Sequence, residues 1–207
     1  MSGLKYYILD IETTGITLNY NEITEISFIR CDDKVQTSMN LRCDYPERAS
    51  YEALTMTNKT MESLKYGISK KEAIDKCNVY LNDDGLTPDH RCIIGHNVQF
   101  DRKFMHALWK MYNVQFPANL WLDTLALSRE YIKINGLPKQ SLKLHAACDM
   151  MGIKKIASIH NAKSDTRNTF YLWDKLSKVP NLDIISKIKN IPHVSKEDVV
   201  NETEDDF

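Results

Sequence analysis

Tyr6-Tyr7-Ile8-Leu9-Asp10-Ile11-Glu12-Thr13-Thr14-Gly15 is the stretch on which the fold turns. Tyr6 to Ile11 is apolar and rich in β-formers, so it predicts a buried strand, stopped by Thr13-Thr14-Gly15. Side chains alternate faces along a strand. Asp10 and Glu12 therefore project together, while Leu9 and Ile11 point the other way. Two like charges beside a core repel each other and are costly unless a cation or a proton neutralises them. Hard divalent ions such as Mg²⁺ accept one or two such carboxylates together with water and phosphate. For this pair alone, a solvated acidic strand end explains the residues equally well.

Outward from this strand, Ile23 to Arg30 and Val35 to Leu41 read as two more strands, with Asp32-Asp33 at the turn, giving an antiparallel meander. The period then changes. Ser69 to Leu81 predicts a helix with Ser69 as N-cap. Cys92 to Gly95 predicts a strand, Asn97 to Tyr112 a helix with Asn97 as N-cap, and Leu120 to Leu122 a short fifth strand. Helices follow at Thr124 to Ile132, Ser141 to Met151 and Lys163 to Leu176, then a weak amphipathic stretch from Leu182 to Ile191. The order βββαβαβααα predicts an α/β fold with a mixed five-stranded sheet flanked by helices.

Two further segments carry chemistry. In Gly95-His96-Asn97-Val98-Gln99-Phe100-Asp101, a strand stops and a helix starts, which is where α/β sheets place ligands. Asp101 in the first helical turn is also favoured by the helix dipole alone, and His96 reads as a hydrogen-bonded structural histidine. In His160-Asn161-Ala162-Lys163-Ser164-Asp165, residues five apart on one helix would be about 140° apart and could not share a site. They can share one if His160 lies on the loop before the helix and Asp165 on its first turn. A loop histidine beside a metal-binding carboxylate suits a general base. Four carboxylates and a histidine are what phosphodiester hydrolysis with two metals about 3.5–4 Å apart requires.

The three segments, in this order, resemble the three motifs of the DEDDh, or DnaQ-like, 3′→5′ exonucleases, the family typified by the proofreading epsilon subunit of bacterial DNA polymerase III. Leu122-Asp123-Thr124-Leu125-Ala126-Leu127 and the run from Ser141-Leu142-Lys143-Leu144 to Gly152-Ile153 are also similar to family segments. The resemblance covers about residues 4–178 and implies a ribonuclease-H-like fold and two Mg²⁺ or Mn²⁺ ions. It implies that Asp10 bridges both metals, Glu12 and Asp165 serve the water-activating metal, Asp101 holds the other through water, and His160 is the general base. Thr13 and Asn97 are implied near the terminal nucleotide, and Lys163 is a substrate-binding candidate. Asp123 is implied to be structural. The implied activity is release of nucleoside 5′-monophosphates from the 3′ end of single-stranded or frayed DNA. An exoribonuclease and a non-catalytic nucleic-acid- or polymerase-binding module are the alternatives. A polymerase or replication protein is the implied partner.

The formal net charge of −1, from 27 Lys+Arg against 28 Asp+Glu, hides two unlike parts. Six acids and no Lys or Arg lie within Glu197 to Phe207, so the other 196 residues carry +5. The tail reads as a solvating, disordered segment, and its Glu204-Asp205-Asp206-Phe207 end also resembles the tips of single-stranded-DNA-binding proteins. Between Lys133 and Arg167, seven cations face only Asp149 and Asp165: Lys133, Lys139, Lys143, Lys154, Lys155, Lys163 and Arg167. They are candidates for one wall of a groove along a nucleic-acid backbone. Phe100, Phe104, Trp109 and Trp173 read as core rather than as stacking platforms. The composition excludes a disordered chain, and no stretch approaches the ~18 apolar residues of a membrane span. Five dispersed cysteines without a CxxC pair suggest neither a disulfide framework nor a zinc site. A cytoplasmic protein is expected, with residues 1–180 as the exonuclease domain and 181–207 as a C-terminal extension.

Overall fold

The computed structural model describes residues 3–154, 156 and 160–193. Strands β1 (Lys5–Thr13), β2 (Ile23–Arg30) and β3 (Gln36–Asn40) form the antiparallel meander. Helices α1 (Tyr51–Thr57) and α2 (Lys70–Asn82) lead to β4 (Arg91–Gly95), and α3 (Val98–Met111) to β5 (Leu120–Asp123). Helices α4 (Thr124–Ile134), α5 (Leu144–Met150) and α6 (Ala162–Leu176) follow, then β6 (Lys189–Asn190). The sheet order is β3-β2-β1-β4-β5-β6, with β1, β4 and β5 parallel and β6 antiparallel to β5. Among the described residues, no helix is long and apolar enough to cross a membrane.

The pleat of β1 divides the core. Tyr7, Leu9 and Ile11 pack with Ile74 and Cys77 of α2 and with Met105, Leu108 and Trp109 of α3. Ile8 packs on the opposite face with Ile94, Leu122, Cys148 of α5 and Leu172 and Trp173 of α6. Asp10 and Glu12 share the parity of Ile8 and so face the α5–α6 layer. Helix α6 meets that face through small buried residues, Ala162, Ser164, Thr166 and Thr169, over the fully buried Ser27 of β2. Small side chains let the helix start lie close to the strands that carry the acids.

The step from β1 to β4 creates the crevice. Their pairing runs only from Lys5–Arg91 to Ile8–Ile94, so β1 continues past the last paired residue. At the other end, Arg91 is buried and its guanidinium meets Asp84, which also accepts from Tyr7 Oη at 2.7 Å. Burial raises the Asp84 pKa, but Arg91, the Leu86 N–H and Tyr7 together hold it down at about 2.

Several sequence expectations change. The sheet has six strands rather than five, because Lys189–Asn190, within the weakly amphipathic 182–191 stretch, adds β6. The helix expected from Ser141 starts at Leu144. Helix α1, capped by Ser50 Oγ accepting from Ala53 N at 3.1 Å, lacks an apolar periodicity and was not predicted. Asn97 adopts φ 64° and caps through its left-handed backbone, with no side-chain cap bond. Phe104, Trp109 and Trp173 are buried, and Phe100 packs partly buried against Phe104. The acidic tail, Lys155 and residues 157–159 lie outside the described residues.

Gly95 sets where α3 begins. A Cβ there would stand 2.7 Å from Val98 Cγ2 and 3.3 Å from the Leu9 carbonyl oxygen. Val98 is β-branched and opens α3, so it cannot swing away without moving the helix. Gly95→Ala is therefore expected to cost about 1–3 kcal/mol through overpacking. The check is the midpoint of thermal or denaturant unfolding against wild type.

Candidate active site

The site forms where β1 outruns β4. Asp10, Glu12 and Asp165 each place a carboxylate oxygen within 4.8 Å of the others. Asp10 and Glu12 come from the β1 pleat and Asp165 from the first turn of α6. Asp101, in the first turn of α3, reaches the same end of β1 from the other helical layer. Its Oδ1 accepts the Ile11 N–H at 3.1 Å, filling the place β4 would have taken in the ladder. Asp101 thus lies beside the three-carboxylate cluster, on backbone, rather than within it.

Helix α6 starts at Ala162, capped by Asn161, whose Oδ1 accepts from Ser164 N at 2.9 Å. His160 is therefore on the preceding loop. Its Nδ1 lies 3.2 Å from Asp165 Oδ2, while Asp165 Oδ1 accepts from Asn168 Nδ2 at 3.2 Å. An ionised carboxylate only accepts, so this contact puts the His160 proton on Nδ1 and leaves Nε2 as the free lone pair.

Electrostatics mark the cluster. Burial, then Asp101, Glu12, Asp165 and Glu25, push the Asp10 pKa well above the usual carboxylate range. Burial, then Glu25 and Asp165, raise Glu12 to about 8, with Lys59 acting against the shift. Burial likewise raises Asp101 to about 8, although its own N–H and that of Ile11 favour the charged form. Such a set fits hard divalent cations: all donors are carboxylate oxygens, and Asp10 and Glu12 are destabilised as anions by burial and by the neighbouring carboxylates.

The remaining candidates are dispersed. Thr13 is buried, next to an irregularity in the β1–β2 ladder, and its hydroxyl donates to the Gly15 carbonyl at 2.6 Å. The Asn97 N–H donates to Asp123 Oδ1 at 2.9 Å, and the same oxygen caps α4 through Leu125 N. His96 is fixed by Thr124 Oγ1 at 2.9 Å and the Leu142 carbonyl at 2.7 Å, with its pKa lowered by burial. Lys163 is exposed, and its backbone carbonyl accepts from Gln36 Nε2 at 2.8 Å. A cleft of about 970 Å³ opens beside His160, lined among others by Met56, Asn97, Arg129, Lys139 and Lys143. Of the expected basic wall, Lys139 and Lys143 line it. Lys133 lies 3.9 Å from Glu130, Lys154 lines a separate hollow, and Arg167 Nε donates to Gln36.

Three residues at the site escaped the sequence reading. Glu25 lies directly across the ladder from Glu12, where its Oε2 accepts the Ala162 N–H at 3.0 Å and its Oε1 pairs with Lys59. It therefore holds the start of α6 onto β2. The alternation of β2 was a usable signal, since Glu25 shares its strand face with Ser27. His145 of α5 meets Asp165, and Arg129 of α4 lines the cleft; nothing local in sequence marked either.

A family model described as Exonuclease (RNase T) matches residues 7–173. The PolC-type DNA polymerase III of Latilactobacillus sakei is 27% identical over 198 residues, which cover 90% of this chain and 12% of that protein. The 3′-5′ exonuclease DinG of Staphylococcus aureus is 27% identical over 207 residues, covering 95% of this chain and 21% of that protein. The chain thus spans about a tenth to a fifth of the length of these relatives. The nuclease domain of 3′hExo, a DEDDh family member solved bound to rAMP, superposes with a TM-score of 0.70 at 14% identity, over 92% of this chain and 98% of that one.

The raised carboxylates give a signed pH dependence. Their folded pKa values lie above unfolded values near 4, so the metal-free fold holds extra protons between about pH 4 and about pH 8. This contribution to stability is complete below about pH 4 and is lost as pH rises through about 8. Metal-free protein should therefore lose melting temperature over that window, and Mg²⁺ or Mn²⁺ should raise it more at the alkaline end. Glu12→Gln should flatten the metal-free slope. Differential scanning calorimetry with chelator and with added metal measures both.

Proposed function

The chain belongs to the DEDDh exonuclease family, and on that premise we propose that it hydrolyses phosphodiester bonds from the 3′ end of single-stranded or frayed DNA. The observation that carries this reading is the convergence of Asp10, Glu12 and Asp165 with His160 against Asp165. Asp10, Glu12 and Asp165 would hold the divalent ions, with Asp101 beside them. The chemistry supplied by two such ions is activation of a water and stabilisation of the departing 3′ oxygen. His160 takes the water's proton at Nε2, because Asp165 fixes its Nδ1 proton and its ring plane. Asn168 holds Asp165 in turn, and Glu25 holds the helix start that carries it. The product on this reading is a nucleoside 5′-monophosphate.

The cleft supports a single strand. Arg129, Lys139 and Lys143 offer cations to phosphates, while Met56, Leu125, Ile132 and Leu137 offer apolar surface to unstacked bases. The PolC-type relative is a DNA polymerase III by name, and this supports the reading of DNA as substrate and a polymerase as partner. The solved 3′hExo domain with rAMP favours RNA as the second reading.

Two measurements test the proposal. With 5′-labelled DNA and RNA oligomers side by side, Mg²⁺ should yield 3′-shortened products, faster on DNA, and chelator should stop the reaction. Asp10→Ala and Asp165→Ala should abolish hydrolysis while remaining folded by circular dichroism; activity retained in both removes the mechanism. Separately, charge reversal at Arg129, Lys139 and Lys143 should raise KM and flatten its salt dependence, by about 0.7 in the log–log slope for each lost phosphate contact. An unchanged slope would show that the cleft does not carry the strand.

A further inference from the structure

Two imidazoles meet one carboxylate at this site. The rings of His145 and His160 lie parallel, 7° apart in plane with centroids 5.3 Å apart. His145 Nε2 is 3.4 Å from Asp165 Oδ1, and His160 Nδ1 is 3.2 Å from Oδ2. The two rings differ in their bonding. His160 bonds Asp165, whereas His145 Nε2 is buried with no hydrogen-bond partner among the described residues. Its approach to Asp165 is too poorly aligned to be a hydrogen bond.

The two rings also differ in what carries them. His160 is on a loop and its side chain is 43% exposed. His145 is 25% exposed on the second residue of α5, whose Ala147 and Cys148 are fully buried and whose Cys148 Sγ meets the Asn168 carbonyl at 3.8 Å. Asn168 is the residue that bonds Asp165. A rigid helix thus presents a flat ring to a loop-borne one.

We propose that His145 is a positioning residue that fixes the His160 ring by stacking, and that its nitrogen chemistry is dispensable. The inference rests on His160 being the general base. A loop histidine hinged at Asp165 alone can rotate about that one contact, and the parallel face of His145 removes this freedom. Restricting a base to one orientation lowers the entropy cost of reaching the reactive geometry, where a displacement of 1 Å can cost about 10² in rate. Because His145 Nε2 has no hydrogen-bond partner among the described residues, an apolar ring of similar shape can replace it without stranding one of them.

The substitutions that decide this are His145→Phe, which keeps the ring, and His145→Gln and His145→Ala, which do not. With Mg²⁺ and a 3′-ended oligomer, His145→Phe should keep kcat within about threefold of wild type. The other two should lose about tenfold or more in kcat, with KM within about twofold. Rescue by phenylalanine is the outcome that a role in hydrogen bonding, charge or metal ligation forbids. If His145→Gln matched wild type while His145→Phe failed, or if all three matched wild type, the stacking role would be overturned.

A readout without turnover separates this inference from the exonuclease reading. In the metal-free protein, the His160 ring protons should sit in the ring current of residue 145. Their resonances should shift in His145→Ala and His145→Gln and remain displaced in His145→Phe. Mn²⁺ affinity by calorimetry should be alike in all three variants. A wild-type protein that binds Mn²⁺ but hydrolyses no oligomer would overturn the exonuclease reading while leaving the stack measurable. His160 resonances unmoved by His145→Ala would overturn the stack whatever the activity.

Discussion

The hydrogen bond from the Ile11 N–H to Asp101 Oδ1 is the contact around which the site is arranged. Past Ile8 the central strand has no pairing to β4, because β4 ends at Gly95 and the chain turns into α3. An unpaired backbone N–H next to a core is costly. Here a carboxylate from the start of the next helix supplies the missing acceptor. The same bond that completes the ladder draws Asp101 toward Asp10. Gly95 matters because Val98 and the Leu9 carbonyl crowd the space a side chain would need, so the turn can be tight enough to deliver Asp101.

Asp165 arrives by a different device. Helix α6 is brought down onto the sheet by small residues over Ser27 and is tied at its first residue to Glu25. Glu25 is itself a carboxylate that raises both Asp10 and Glu12, so the anchor adds to the repulsion at the site it builds. Lys59 pairs with Glu25 and eases Glu12, which is a partial offset. The residual unfavourable charge is what divalent cations would relieve, and it explains why metal-free stability should fall, and metal affinity rise, as pH increases.

The sequence carried the part of the site set by short-range geometry. Asp10 and Glu12 were placed together by the period of a strand, and His160 was placed off the helix by the angle separating it from Asp165. Glu25, His145 and Arg129 were not found, because their roles depend on which strand pairs with which and on how α4 and α5 dock on α6. Residue preference alone predicts a side-chain cap at Asn97, but the tight turn after Gly95 requires a left-handed backbone, which asparagine tolerates. The sixth strand was missed because two residues, Lys189 and Asn190, carry no apolar alternation and join the sheet only through β5. The run of positive charge from Lys133 to Arg167 reads in sequence as one wall. In the fold only part of it reaches the cleft, because Lys154 and Arg167 lie on other surfaces.

The site therefore combines fixed and adjustable parts in a definite order. Asp10 and Glu12 are fixed by the central strand, which pairs with β2 from Tyr7 through Thr13 and with β4 from Lys5 to Ile8. Asp101 and Asp165 are fixed by helix starts, each secured by a backbone-to-carboxylate bond, Ile11 to Asp101 and Ala162 to Glu25. His160 alone is carried by a loop, and on the proposed reading it is the group that moves a proton. A base on a loop reaches a reproducible position only if something rigid meets it there. In this fold two groups do so, the Asp165 carboxylate at the ring edge and the His145 ring at its face. The first selects which nitrogen carries the proton, and the second restricts the ring plane.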